Sequence, residues 1–159
     1  MSARAVELIT SLQLQTHPEG GWYRRVYSDA EQVCVNGLLR PARTAILYLL
    51  RAGECGQWHR IDAEERWAWR EGAGLELLQF DPARKGAGFL QRLHLAPDTM
   101  HTVPAGAWQL ARPLGEFVLV ECTVTPGFVW EGFELLDPQA PLTDWLREQE
   151  TAESNRSGA

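Results

Sequence analysis

Apolar positions change their spacing along this chain. Over residues 3–15, Val6, Ile9, Leu12 and Leu14 recur closer to helical than to strand spacing, with Glu7 and Gln13 on other faces. The spacing predicts a short N-terminal helix that ends before His17-Pro18, because a residue preceding proline avoids the α region. After Gly20-Gly21 the pattern becomes a series of short strands, predicted at 22–28, 44–50, 57–60, 65–71, 75–80, 89–95, 102–103, 108–111, 117–125 and 133–135. Gly, Pro, Asp and Ala punctuate the series, which points to a sandwich or barrel and not to βαβ units. The fold class is therefore all-β with a short N-terminal helix, in one domain over residues 1–140. Residues 141–159 form a tail: an amphipathic segment at 142–150 predicts a short helix, and the polar end from Thr151 predicts disorder.

Strand alternation selects which side chains share a pocket, since residues two apart point the same way. If His59 faces inward, Gln57 and Ile61 do too. In the next strand Glu65, Trp67, Trp69 and Glu71 share one face, and two tryptophans mark that face as buried. A carboxylate taken inside needs a histidine, an arginine or a metal ion as partner, and His59 across a tight turn is the natural one. Trp67, Trp69, Trp108 and Tyr48 are candidate walls of a ligand slot, with Gln57 and Gln109 as candidate polar contacts. Alternation does not orient Tyr23, Arg24 or Glu121.

Charge and composition narrow the partners. The net charge of −6 and pI near 5.2 exclude a general basic field for nucleic acid or an anionic membrane, although Arg24-Arg25 or Arg40 and Arg43 can still make a local anion site. There is no apolar run long enough to span a bilayer, and the first residues carry charges where a signal peptide needs an apolar stretch. Three widely separated cysteines, Cys34, Cys55 and Cys122, favour reduced thiols and a cytoplasmic location.

Gly53, His59, Glu65 and Gly72 stand at the spacing of a metal-site signature, and Pro104–Gln109 supply its second half. Ile61 and Gln109 occupy two positions where histidines would grip the ion. The runs His17-Pro18-Glu19-Gly20-Gly21-Trp22-Tyr23-Arg24, Thr44-Ala45-Ile46, Trp58-His59-Arg60 and Glu64-Glu65-Arg66-Trp67 resemble the cupin-5 branch of the cupin superfamily. So do Val103–Gln109 and Thr123-Val124-Thr125-Pro126-Gly127-Phe128, and the runs fall in order over roughly residues 5–136. The resemblance implies a single jelly-roll barrel (a double-stranded β-helix), a homodimer joined by strand exchange or sheet extension, and a function largely unassigned. It also implies likeness in fold to deoxysugar-nucleotide epimerases, whose base maps onto His59. Glu65 and Gln109 take the positions of the metal carboxylate and a metal histidine. The chain departs from the branch at Ala68 and Arg70, where a histidine and an aromatic or histidine are expected.

Three readings stay open. The first is a small-molecule isomerase or epimerase acting on a sugar-like or carbonyl compound, with His59 as base and Glu65 as its catalytic partner. The second is a metal-dependent, oxygenase-like enzyme holding one divalent ion through His59, Glu65 and Gln109, a poorer set than three histidines and a carboxylate. The third is a non-catalytic ligand-binding module.

Overall fold

The computed structural model describes residues 2–83 and 90–154, the side chains of 153 and 154 excepted. Helix α1, Ala3–Ser11, is capped by the Ser2 hydroxyl, which accepts from Ala5 N. The strands are β1 (Gln15–Thr16), β2 (Trp22–Ser28), β3 (Gln32–Val35), β4 (Leu38–Pro41), β5 (Thr44–Arg51), β6 (His59–Ile61) and β7 (Glu64–Gly72). They continue with β8 (Leu75–Phe80), β9 (Gln91–Leu95), β10 (Met100–Val103), β11 (Trp108–Pro113), β12 (Phe117–Thr125) and β13 (Phe133–Leu135). Helix α2, Pro141–Ser154, closes the described chain. It runs through the first part of the stretch expected to be disordered; the last five residues, and Phe89 of the strand expected at 89–95, lie outside the described residues.

The molecule is mostly β, in two sheets. One has the order β1-β2-β5-β12-β7-β10, the other β13-β6-β11-β8-β9, and β3-β4 stand apart as a hairpin. Hydrogen bonding does not join the two large sheets into a closed barrel among the described residues. They face each other across a core in which Tyr48, Trp67, Val118 and Val120 of the first sheet pack with Leu75, Leu77, Leu95 and Ala111 of the second. Each outer face carries a helix. α1 lays Ala5 and Leu8 on Leu49, Phe117 and Leu119, while α2 lays Leu146, Leu142 and Trp145 on Leu78 and Leu110. A helix one-sidedly apolar is stable only against such a surface.

One expectation is overturned within β7. Val120 pairs with Trp69 but Leu119 pairs with Glu71, so Arg70 is an extra residue with no partner in that register. The bulge reverses the alternation beyond it. Glu71 therefore leaves the face of Glu65, Trp67 and Trp69 and receives Arg4 of α1 at 2.7 Å. Arg70 meets Glu121, whose strand neighbours Val120 and Cys122 point the other way, into the core.

Candidate functional site

At one end of the space between the sheets lies a cavity of about 450 Å³. Alternate residues of four strands line it: Tyr23 and Arg25 on β2, Thr44, Ile46 and Tyr48 on β5, Glu65 and Trp67 on β7, Cys122 and Val124 on β12. His59 and Ile61 on β6 face them, and Phe128, Trp130 and Phe133 from the segment after β12 close one side.

Three local structures aim the polar groups. The first is the turn His17–Gly21, closed by His17 N to Gly21 O at 2.9 Å and Gly20 N to His17 O at 3.0 Å. Gly20 and Gly21 take φ of 101° and 81°, and a Cβ on Gly20 would stand 2.9 Å from Cys55 O. The turn pushes Glu19 inside, where it is only 4% exposed and its Oε2 is 2.7 Å from His59 Nε2. The second is β6, where His59 Nδ1 lies 2.8 Å from Gln57 O. With an acceptor before each nitrogen, the ring holds both protons. Burial alone would lower the His59 pKa, but the Glu19 carboxylate outweighs it and raises it to about 9. That arrangement leaves His59 no lone pair with which to take a proton from a substrate, the role expected of it.

The third is a bridge between the sheets. Gln109 sits directly opposite His59 in the β6–β11 pair, so both face inward. Its Nε2 donates to Glu65 Oε1 at 2.9 Å and its Oε1 accepts from Trp67 Nε1 at 2.9 Å. Burial raises the Glu65 pKa to about 7, more than the His59 cation offsets. His17 is held neutral by burial, its pKa lowered below the usual histidine value. Its Nδ1 accepts from Glu19 N at 3.1 Å, so its proton is on Nε2, which has no protein acceptor among the described residues. Tyr48 donates to Gly20 O at 2.5 Å, and burial, then Glu19, hold its phenol well above the usual range.

Of the residues singled out from sequence, His59, Glu65, Trp67 and Tyr48 line the cavity, and Gln109 stands directly behind it. Gln57 has an exposed side chain and reaches the site only through its backbone, binding His59 and, through its N–H, Glu19 O. Trp69 faces inward but is packed in the core beyond the cavity, its Nε1 on Ala73 O. Trp108, next to Gln109, necessarily points to the other face, where Arg60 lies 4.5 Å over its ring. From sequence, His17 with Glu19 and the two glycines reads as a turn closing one end of the barrel or a dimer contact, with a direct ligand role for His17 as the lesser alternative. A carboxylate lodged between proline and two glycines was the available signal, but alternation says nothing of direction inside a turn.

The ligand set expected for a divalent ion does not fit one. An ion would need the Nε2 lone pair of His59, which is protonated toward Glu19, and Oε1 of Gln109, which is taken by Trp67. Among the described residues no cluster of three His, Cys, Asp or Glu side chains is arranged to hold a metal.

A buried polar centre on a cavity between two facing sheets is consistent with a cupin. The chain belongs to the cupin superfamily family Cupin_5 (DUF985), whose model matches residues 6–136. Among solved structures it is similar to a hypothetical protein from Leishmania major, at 27% identity and a TM-score of 0.80, covering 94% of this chain and 95% of that one. It is similar also to a protein from Shewanella oneidensis, at 28% identity and a TM-score of 0.79, covering 92% and 93%. Oxalate decarboxylase from Bacillus subtilis shares the fold at 16% identity and a TM-score of 0.59, with 89% of this chain covered and 34% of that one. No curated protein matches the chain. No helix among the described residues is long and apolar enough to cross a membrane.

Proposed function

We propose that this protein is a small-molecule enzyme of the proton-transfer type, an isomerase or epimerase, in which Glu65 carries the proton. The two sheets are read as the walls of a jelly roll whose open end admits the substrate. The observation behind the proposal is the pairing of Glu65 with the Glu19–His59 pair on one apolar-walled cavity. Burial brings the Glu65 carboxyl to about 7, where it takes and returns a proton with little bias, while His59 stays charged.

In this reading the Glu65 carboxylate removes a proton α to a substrate carbonyl. The C–H bond breaks and its electron pair moves onto the carbonyl oxygen. His17 Nε2–H is the donor free to meet that oxygen, and the positive charge on His59 stabilises it through space. The proton then returns to carbon from Glu65 or from water on the other face. Gln109 orients Glu65, and Glu19 keeps His59 charged. The cavity volume suits a ring-sized compound, and Tyr23, Trp67 and Phe133 offer it apolar walls. No step in this scheme runs through a metal.

The test is a thermal-shift screen with cyclic hydroxy- and keto-compounds, followed by incubation of each stabilising compound in D2O and mass spectrometry. Deuterium should enter the compound with wild type, and the rate should fall at least 100-fold with Glu65→Gln while the thermal shift persists. Stabilisation without deuterium entry would replace this reading with a non-catalytic binding module.

A further inference from the structure

Arg25 is the cation in the cavity that the chemistry above does not use. It lies opposite Ile46 in the β2–β5 pair, and Tyr23 lies opposite Tyr48, so all four belong to the cavity face of the sheet. Arg24, one residue earlier, points to the other side and donates to Leu12 O at 3.2 Å. The guanidinium of Arg25 makes one long hydrogen bond, Nη2 to Phe128 O at 3.3 Å. No carboxylate pairs with it among the described residues, although Glu131 also lines the cavity. Arg25 is exposed where it lines the cavity, whereas among the described residues each buried or half-buried arginine has an acidic partner, as Arg40 has Asp62 at 2.9 Å.

The sheet also sets where this charge stands. Arg25 pairs with Ile46, Ile46 with Cys122 and Cys122 with Trp67, which puts Arg25 three strands from the strand of Glu65. Three strand spacings amount to about 14 Å of sheet before the side chains reach inward. Both side chains reach inward across part of that span, so a molecule lying along the cavity from Glu65 has Arg25 toward its far end. An anionic group there gains a charge-assisted, two-pronged hydrogen bond and displaces only a weak contact to a neutral carbonyl. It is also kept away from Glu65, whose ionised form would repel it.

We infer that Arg25 anchors a carboxylate or phosphate on the substrate, so that the protein takes small ring compounds bearing an anionic group. The inference rests on the cavity being the ligand site, as proposed above. Quenching of tryptophan fluorescence, with Trp67 and Trp130 in the cavity wall, can report binding of phenyl phosphate, benzoate and uncharged phenol. Wild type should bind the anionic probes about tenfold more tightly than phenol, a preference that fades with added salt. Arg25→Met should bring the anions to within about twofold of phenol and leave phenol unchanged, while Arg24→Met should behave as wild type. Whichever anionic probe loses more identifies the preferred group, and loss for either supports the anchor. No preference in wild type, or one that survives Arg25→Met, overturns the anchor and leaves the cavity reading standing. Failure of all three probes to bind overturns both.

Discussion

His59 and Glu19 depend on one another more than either depends on the rest of the site. Each is buried, and the other, 2.7 Å away, is the largest influence that keeps it ionised against burial. Replacing one strands a charge in a dry environment, whereas replacing both removes the problem. His59→Leu or Glu19→Leu should each destabilise the fold by about 3 kcal/mol in urea unfolding, with the double variant costing clearly less than their sum. Additive losses would show that the two do not act as a pair. Only half of this pair was legible in the sequence. His59 sits in a strand, where period-2 spacing relative to Ile61 speaks for its direction. Glu19 sits in a turn, and its direction comes from Gly20 and Gly21 taking backbone angles open to glycine. The same gap bears on the role expected of His59: a base needs a free lone pair, and the acceptor beside its Nε2 could not be seen in the sequence. Glu65 and Gln109 were placed well because both obey alternation in strands marked by tryptophan.

Elements whose signal is local were read closely. β8, β12 and β13 begin and end where their apolar alternation does. The β3–β4 hairpin was missed, although Asn36-Gly37 between short strand-forming runs is a strong two-residue turn signal and both residues take positive φ. The bulge at Arg70 had no local signature, since an extra residue exists only relative to the partner strand. Helix α2 lies beyond the matched family region, yet it covers the outer face of the five-stranded sheet with Leu146, which is wholly buried. Glu150 ties its far end to Trp58 at 3.0 Å and to Arg112. Leu146 is the one wholly buried apolar side chain of this helix, so α2 should be sensitive to losing it. Leu146→Ala should lower stability by about 2–4 kcal/mol, read from chemical denaturation, and raise hydrogen exchange in α2 before the rest of the chain. Uniform exchange would mean that α2 folds and unfolds with the sheets.

At the scale of the whole molecule, pairing of distant strands was the part sequence could not supply: β7 lies between β12 and β10, and β5 between β2 and β12. That pairing brings Glu65, His59 and Glu19 into one cavity and so ties stability to pH. The Glu65 pKa rises from 4.5 to about 7 on folding, so its stabilising contribution is complete below 4.5 and is lost as pH rises through 7. The His59 pKa rises from 6.5 to about 9, so its contribution is complete below 6.5 and is lost through 9. Glu19 works in reverse, its pKa being lowered, and its contribution disappears as pH falls through the carboxylate range. The melting temperature should therefore peak on the acid side of neutrality and decline toward pH 9.5. Glu65→Gln should flatten the decline below 7, and the His59→Leu/Glu19→Leu double variant the decline above it. Proton abstraction has a different requirement, an ionised Glu65 beside a charged His59, so turnover should climb through about 7 and fall through about 9. Activity would then be greatest where the fold has already given up part of its stability, because the same buried carboxyl cannot be both comfortably protonated and ready to accept a proton. A melting temperature that rises steadily from pH 6 to 9 would contradict both curves at once.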